Sequence, residues 1–177
     1  MGAEFIPFSQ QASLDDGRRL YLRAIHPGDR ERLREELFLK LSLKSLRNRF
    51  FAIKRDLTPD ELRFFCEVDF VRHVAIVAEL ECDGHRRLVG VARFVRPEAE
   101  AKEAEFAITV VDAFQRHGIG GRLFAHLVTS ARELDIERLD GTLLAQNNGM
   151  TGLIRQTRLP SISSRDNGVV SVSIHIR

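Results

Sequence analysis

The sequence predicts an α/β fold: a central, mostly antiparallel sheet of about six to seven strands flanked by helices, forming one domain over residues 18–177. Two β-branched runs, 74–81 and 88–95, are joined across Asp83-Gly84, a dipeptide suited to a hairpin turn. Leu123, Phe124, Leu127, Val128, Ala131 and Leu134 form an apolar stripe at helical spacing over 118–134. Strand-like and helix-like segments also alternate along the chain, as in a mixed sheet covered on both faces.

Residues 1–17 read as an irregular lead-in, and 20–25 as a first strand. His26-Pro-Gly-Asp29 turns the chain into a helix with Leu33, Leu37 and Leu41 four apart on one face, and 42–51 forms a second helical stretch. Thr58-Pro-Asp-Glu61 is a capping box with proline at the first helical position, and the helix it starts turns Leu62, Phe65 and Cys66 inward. After the hairpin, 97–102 is a charged loop and 105–111 a strand. Beyond the 118–134 helix, 138–144 reads as strand, 147–156 as helix and 169–176 as a last strand.

Bulk properties exclude several classes of function. The chain has 177 residues, 44% hydrophobic and 29% charged, with a net charge of only +2. A balance so close to neutral gives no field that draws in nucleic acid or a membrane surface. Lys40, Lys44, Lys54 and Lys102 are the only lysines, so the basic side chains are nearly all arginine forks suited to carboxylates or phosphates. Cys66 and Cys82 stand in unrelated contexts, which argues against a metal site and against a disulfide scaffold. Residues 1–7 lack the pattern of a signal peptide and no apolar run reaches membrane length, so the expected location is cytoplasmic.

The stretch most informative about chemistry is Val110-Val-Asp-Ala-Phe-Gln-Arg-His-Gly-Ile-Gly-Gly-Arg122. A strand ends, and Gly118, Gly120 and Gly121 fall where a helix begins. Glycine allows close approach of a ligand to the backbone, and the first amides of a helix are unpaired and carry partial positive charge. The combination suits a pyrophosphate, with Arg116 and Arg122 able to add charge-assisted contacts. The alternative is that the glycines serve only a tight strand-to-helix turn. The segment has no GK[ST] ending, and it follows an antiparallel meander, so neither a Walker A loop nor a dinucleotide fingerprint applies.

Gln115-Arg-His-Gly-Ile-Gly120 resembles the Q/R-x-x-G-x-G/A signature of the GNAT superfamily of N-acetyltransferases. Leu22-Arg-Ala-Ile25, Asn48-Arg-Phe-Phe51, Leu88-Val-Gly-Val-Ala-Arg93, Ala104-Glu-Phe-Ala107 and Leu144-Ala-Gln-Asn147 are similar to the bacterial branch that acetylates protein lysines. The resemblance runs from about 22 to 155 and implies a GNAT-like fold and acetyl-CoA as acyl donor, with no metal. Relatives in that branch are often fused to a synthetase-like or nucleotide-sensing domain, and residues 1–177 contain no segment resembling one.

The resemblance also implies roles. Glu105 matches the glutamate regarded as the general base; alternation puts it on one strand face with Ala107 and Thr109, beside Phe106 and Ile108, which are expected to bury it. The alternative is a strand carboxylate paired with an arginine such as Arg93. Gln115, Arg116, His117, Gly118, Ile119, Gly120, Gly121 and Arg122 form the cofactor-binding loop, with His117 equally readable as an exposed loop residue. Backbone amides at Val110 and Val111 are expected to hold the pantetheine arm, and Asn147 to lie beside it or simply to cap a helix. Tyr21 is the only tyrosine and lies in the first strand, so no tyrosine stands ready to protonate the leaving thiolate. Where relatives read Leu-Gly-Phe, this chain has Thr157-Arg158-Leu159, and Arg158 takes over a left-handed position at a cost of about 1 kcal/mol.

These readings together predict acetyl transfer from acetyl-CoA to a primary amine in a ternary complex. A protein lysine is the favoured acceptor, with a small-molecule amine as an alternative. The rival is a non-catalytic acyl-CoA-binding regulatory module, to which the altered 157–160 segment lends weight. A homodimer pairing the hairpin or the C-terminal strands is compatible with the sequence but not required by it.

Overall fold

A computed structural model describes residues 9–177; the expectation about residues 1–7 lies outside the described residues. Eight strands form one sheet: β1 (Ser9–Ser13), β2 (Arg19–Ala24), β3 (His73–Cys82), β4 (His85–Val95), β5 (Glu103–Val110), β6 (Arg138–Leu144), β7 (Ser161–Asp166) and β8 (Val169–His175). Their spatial order is β1-β2-β3-β4-β5-β6-β8-β7. Among the described residues, only the β5–β6 pair is parallel.

Two of the eight strands are not among the segments the sequence marked as strands. β1 lies inside the stretch read as irregular, and β7 follows Pro160. Both are edge strands of polar residues, and every residue of β7 is exposed, so neither carries the apolar alternation that marks a half-buried strand. The β3–β4 hairpin turns at Asp83 and Gly84, both with positive φ (51° and 76°), as Asp-Gly turns require. Asn167-Gly168 makes the same turn between β7 and β8.

The helices are α1 (Arg30–Arg32), α2 (Leu43–Phe50), α3 (Pro59–Cys66), α4 (Ile119–Glu133) and α5 (Asn148–Thr157). The Leu33–Leu37–Leu41 face is buried as expected. The run is not one regular helix: 3₁₀ turns at Pro27–Asp29 and Phe38–Lys40 flank α1 and a π segment at Leu33–Leu37. Ser42 caps α2, and the Thr58–Glu61 capping box closes in both directions at the start of α3.

α4 covers one face of the sheet, burying its stripe against Val74, Ile76, Phe94 and Phe106; Phe106 meets Phe124 with ring centroids 5.3 Å apart. The π segment, α2 and α3 cover the other face around Ala75, Val77, Val91 and Val111. Gly141 in β6 is required by packing: a Cβ there would lie 2.6 Å from Phe106 Cε1. Gly141→Ala is therefore expected to destabilise the protein by about 1–3 kcal/mol through overpacking, read as a lower urea midpoint at an unchanged m-value.

Candidate active site

β5 and β6 pair in parallel only over Glu103–Glu105 against Arg138–Asp140, and then separate. The fork between them is the distinctive feature of the sheet. Val111 N–H donates to Val89 O (2.9 Å), so by antiparallel alternation the N–H and C=O groups of Ile108 and Val110 turn the other way, into the fork. This separates the two valines. Val110 presents its backbone to the fork, whereas the Val111 amide is already spent on β4 and its side chain is buried.

α4 starts at the open end of β5. Gly118 is its N-cap with φ 77°, a left-handed conformation, and no side chain caps the helix. The first backbone bond of this turn is Arg122 N–H to Gly118 O (3.1 Å), leaving the amides of Ile119, Gly120 and Gly121 ahead of the ladder. Gly121 is exposed with nothing within 4 Å of a built Cβ; at Gly120 a Cβ would lie 3.0 Å from Leu153 of α5. The loop is held by Gln115, whose Nε2 donates to Val110 O (3.0 Å). Arg116 is exposed with φ 65°, and His117 is exposed with Nδ1 2.8 Å from Gln115 O. Arg122 lies along the loop: its Nη2 donates to Ser13 O (3.1 Å) on β1, and its Nη1 lies 2.8 Å from where a Cβ on Gly118 would stand. A further loop residue, Asp112, accepts from the hydroxyls of Ser42 (2.6 Å) and Ser45 (2.8 Å) and pins the start of α2 beside the loop. No role could be read for it from sequence, because its partners lie about seventy residues away.

Glu105 stands at the base of the fork, opposite Val95 on β4 and Asp140 on β6. It is exposed. Phe106 packs on α4, across the sheet from Glu105, and the expected burial of the carboxylate by its neighbours is not found. The alternative partner Arg93 is engaged elsewhere, and among the described residues Glu105 forms no ion pair. Arg49 of α2 is the cation whose charge interacts with Glu105. Asn147 is the N-cap of α5, its Oδ1 accepting from Met150 N–H (3.2 Å), so its side chain does the capping job.

Arg93 is 5% exposed, and its Nη1 donates to Phe65 O (3.1 Å) and lies 2.9 Å from His73 Nε2. A guanidinium only donates, so His73 Nε2 is the acceptor and the ring is neutral. Burial, and then the Arg93 charge, push the His73 pKa down to about 4. The unfolded chain therefore takes up this proton first as pH falls. The contribution is intact above about pH 6.5 and is lost between 6.5 and 4, amounting to about 3 kcal/mol. His73→Gln, which keeps an acceptor for Arg93, is expected to flatten the stability profile in that window in urea titrations at stepped pH. Burial also pushes the Cys66 thiol up to about 11, which suits an inert core cysteine.

Thr157 and Arg158 close α5 without the glycine of relatives. Arg158 adopts φ 56°, and Thr157 Oγ1 donates to Ile154 O (2.7 Å) and accepts from Leu159 N–H (3.2 Å). Tyr21 is on β2, its hydroxyl donating to Glu81 (3.1 Å), away from the fork. Among the described residues, no cluster of His, Cys, Asp or Glu fits a metal ion, and no helix is long and apolar enough to cross a membrane.

A mixed sheet forked at its one parallel pair, with an uncapped glycine-rich helix start at the mouth, puts the chain in the class of acyl-CoA-dependent N-acyltransferases. The chain belongs to the Acetyltransferase (GNAT) family, whose model matches residues 40–156. It is 31% identical over 141 residues to Acetyltransferase PA5475 of Pseudomonas aeruginosa, covering 80% of this chain and 75% of that protein. It is 32% identical over 161 residues to Acetyltransferase Pat of Mycolicibacterium smegmatis. That match takes in 90% of this chain but only 46% of Pat, so the chain spans about half of that relative. Among solved structures, the GNAT domain of S. lividans PAT matches with a TM-score of 0.84 at 29% identity, over 94% of this chain and 96% of that one.

Proposed function

We propose that this chain transfers an acetyl group from acetyl-CoA to a primary amine, with a protein lysine as the acceptor, by direct attack in a ternary complex. The observation that carries the reading is the β5–β6 fork, with Glu105 at its base and the free amides of Ile119, Gly120 and Gly121 at its mouth. The pyrophosphate is assigned to those amides and to the neighbouring Arg116, where backbone donors and the helix dipole favour an anion. The pantetheine arm is assigned to the fork, where the backbone of Ile108 and the N–H of Val110, whose carbonyl accepts from Gln115, offer strand-like hydrogen bonds. The Val111 N–H is bonded to Val89 O, Arg122 keeps its Nη1 beside Gly118 at the anion site, and Asn147 contributes by placing α5.

In the reaction, Glu105 accepts the ammonium proton, directly or through water, freeing the nitrogen lone pair. The nitrogen bonds to the thioester carbonyl carbon, the carbon–sulfur bond breaks, and the nitrogen sheds its second proton to solvent while the departing thiolate takes one up from solvent. Catalysis comes mainly from holding amine and thioester together beside a fixed carboxylate. The lysine acceptor is supported by similarity of the 48–51, 88–93, 104–107 and 144–147 stretches to the lysine-acetylating branch. The substituted 157–159 segment closes α5 with its own bonds, and the transfer assay decides between the catalytic and regulatory readings.

The test is incubation with labelled acetyl-CoA and a panel of proteins, lysine peptides and small amines, followed by mass spectrometry. Acetyl-lysine in peptides is the expected product. Transfer to small amines alone would move the acceptor class, and no transfer to any acceptor despite acetyl-CoA binding would favour the regulatory reading.

A further inference from the structure

Residues 40–55 carry six of the chain's 27 basic residues, and no Asp or Glu lies between Glu36 and Asp56. Lys54 is paired with Glu61 (2.7 Å), and Arg49 faces the Glu105 charge. Lys40, Lys44, Arg47 and Arg55 are exposed, and among the described residues none of them forms an ion pair, whereas Arg23, Arg32 and Arg34 all pair with carboxylates. The same stretch shows apolar surface. Seven large apolar side chains are exposed among the described residues, and four of them, Leu39, Leu43, Phe51 and Ile53, fall here, with Leu43 66% and Ile53 72% exposed. Leu43, Arg47 and Phe51 stand four apart, which sets them on one ridge of α2 and its C-cap, with Lys44 beside them. Phe51 closes α2 at φ 58°, a left-handed conformation costly for an aromatic residue, and its ring stays exposed.

The ridge borders the reacting part of the sheet. Asp112 and Gln115 of the glycine loop bond to Ser42 and Ser45 at the start of α2, and α2 packs on β5 and β6. An amine delivered to Glu105 therefore brings its neighbouring residues over this helix. Leu43 to Phe51 spans about 12 Å, the length of about four residues of extended chain. The basic strip ends in carboxylates, since Asp56 adjoins Arg55 and Glu61 is bonded to Lys54. A flat anionic membrane or a nucleic-acid duplex would press its own charge against them, whereas a short acidic segment fits the strip alone. Acidic side chains answer the free cations, and an apolar side chain covers Leu43 or Phe51.

We propose that the Leu43–Phe51 ridge docks an acidic protein segment through its free cations and one apolar anchor, and that the acceptor lysine lies within that segment. The second half rests on the reading of this chain as a lysine acetyltransferase with Glu105 at its reacting centre. The ridge then sets acceptor specificity: a lysine with acidic flanks is favoured, and one among basic residues is repelled by Lys44, Arg47 and their neighbours.

The first arm of the test needs no turnover. A fluorescent lysine peptide with two glutamates and a leucine beside the lysine is titrated into the full chain by anisotropy, against a counterpart with glutamines for the glutamates. The glutamate peptide is expected to bind at least about tenfold more tightly at low salt, the preference shrinking as salt is raised. It is expected to reverse in the double variant Lys44→Glu, Arg47→Glu. Both side chains are exposed and free of ion pairs, so the variant is expected to melt as wild type does. Equal binding of the peptides, binding of neither, or a preference that survives the double variant overturns the proposal. So does equally tight binding of duplex DNA, or of vesicles of equal parts phosphatidylcholine and phosphatidylserine. The second arm compares kcat/KM for acetylation of the two peptides. A preference matching the binding preference is expected, and equal values despite unequal binding overturn the placing of the acceptor lysine in the docked segment. Selective binding with neither peptide acetylated overturns the acetyl-transfer reading alone, and the ridge remains a docking surface for an acidic segment.

Discussion

Glu105→Gln is expected to lower kcat for acetyl transfer by about 100-fold or more at neutral pH, with the Kd for acetyl-CoA unchanged. The substitution keeps the size and hydrogen-bonding shape of the side chain and removes only the capacity to take a proton. Glu105 is exposed at the point where β5 leaves β6, and no described residue pairs with it, so its loss breaks no structural bond. A carboxylate serving only the fold would show the reverse pattern, with activity kept and the melting temperature changed. A fall confined to KM would instead mean that Glu105 holds the acceptor without taking its proton. Stopped-flow release of free CoA under saturating acetyl-CoA, with calorimetric Kd values in parallel, separates these cases.

Gly121→Asp is the second large effect, and its sign distinguishes a pyrophosphate site from a simple turn. Position 121 is in the first turn of α4, exposed, with open space around a new Cβ. An acidic side chain there complements the helix dipole and contributes about 0.3–1 kcal/mol to stability. Replacing glycine in a helix also lowers the entropy lost on folding. If the glycines served only the turn, the variant would be as good a protein or better in every respect. If the free amides hold a pyrophosphate, the new carboxylate opposes it across a few ångströms. The expected result is a melting temperature equal to or above wild type together with acetyl-CoA affinity at least about tenfold weaker, the loss shrinking as salt is raised.

The parts of the fold legible in the sequence are those with a local physical cause. The Asp83-Gly84 hairpin, the Thr58 capping box and the α4 stripe each follow from a few neighbouring residues, and each is present. The two missed strands are polar edges: β1 and β7 bury almost nothing and exist through backbone pairing with β2 and β8. Asn167-Gly168 was the one available signal for β7, a hairpin turn whose first strand is too polar to read as one. At the site, the glycine loop was readable because it is contiguous, whereas the exposure of Glu105, expected to be buried, was not. What each backbone group is bonded to was not, since it depends on register. Val111 N–H is bonded to Val89 O and Arg122 Nη2 to Ser13 O, both partners set by the tertiary fold.

The most direct measurement is calorimetric titration of acetyl-CoA into the wild-type chain, repeated with acetate and with adenosine 3′,5′-bisphosphate as partial ligands. Binding of one acetyl-CoA per chain, with a dissociation constant in the micromolar range and markedly weaker binding of the fragments, is the predicted result, since pyrophosphate and pantetheine must both be engaged. No saturable heat at millimolar acetyl-CoA would contradict the assignment of the fork and the α4 start to the acyl donor, and the proposed transfer reaction would fall with it.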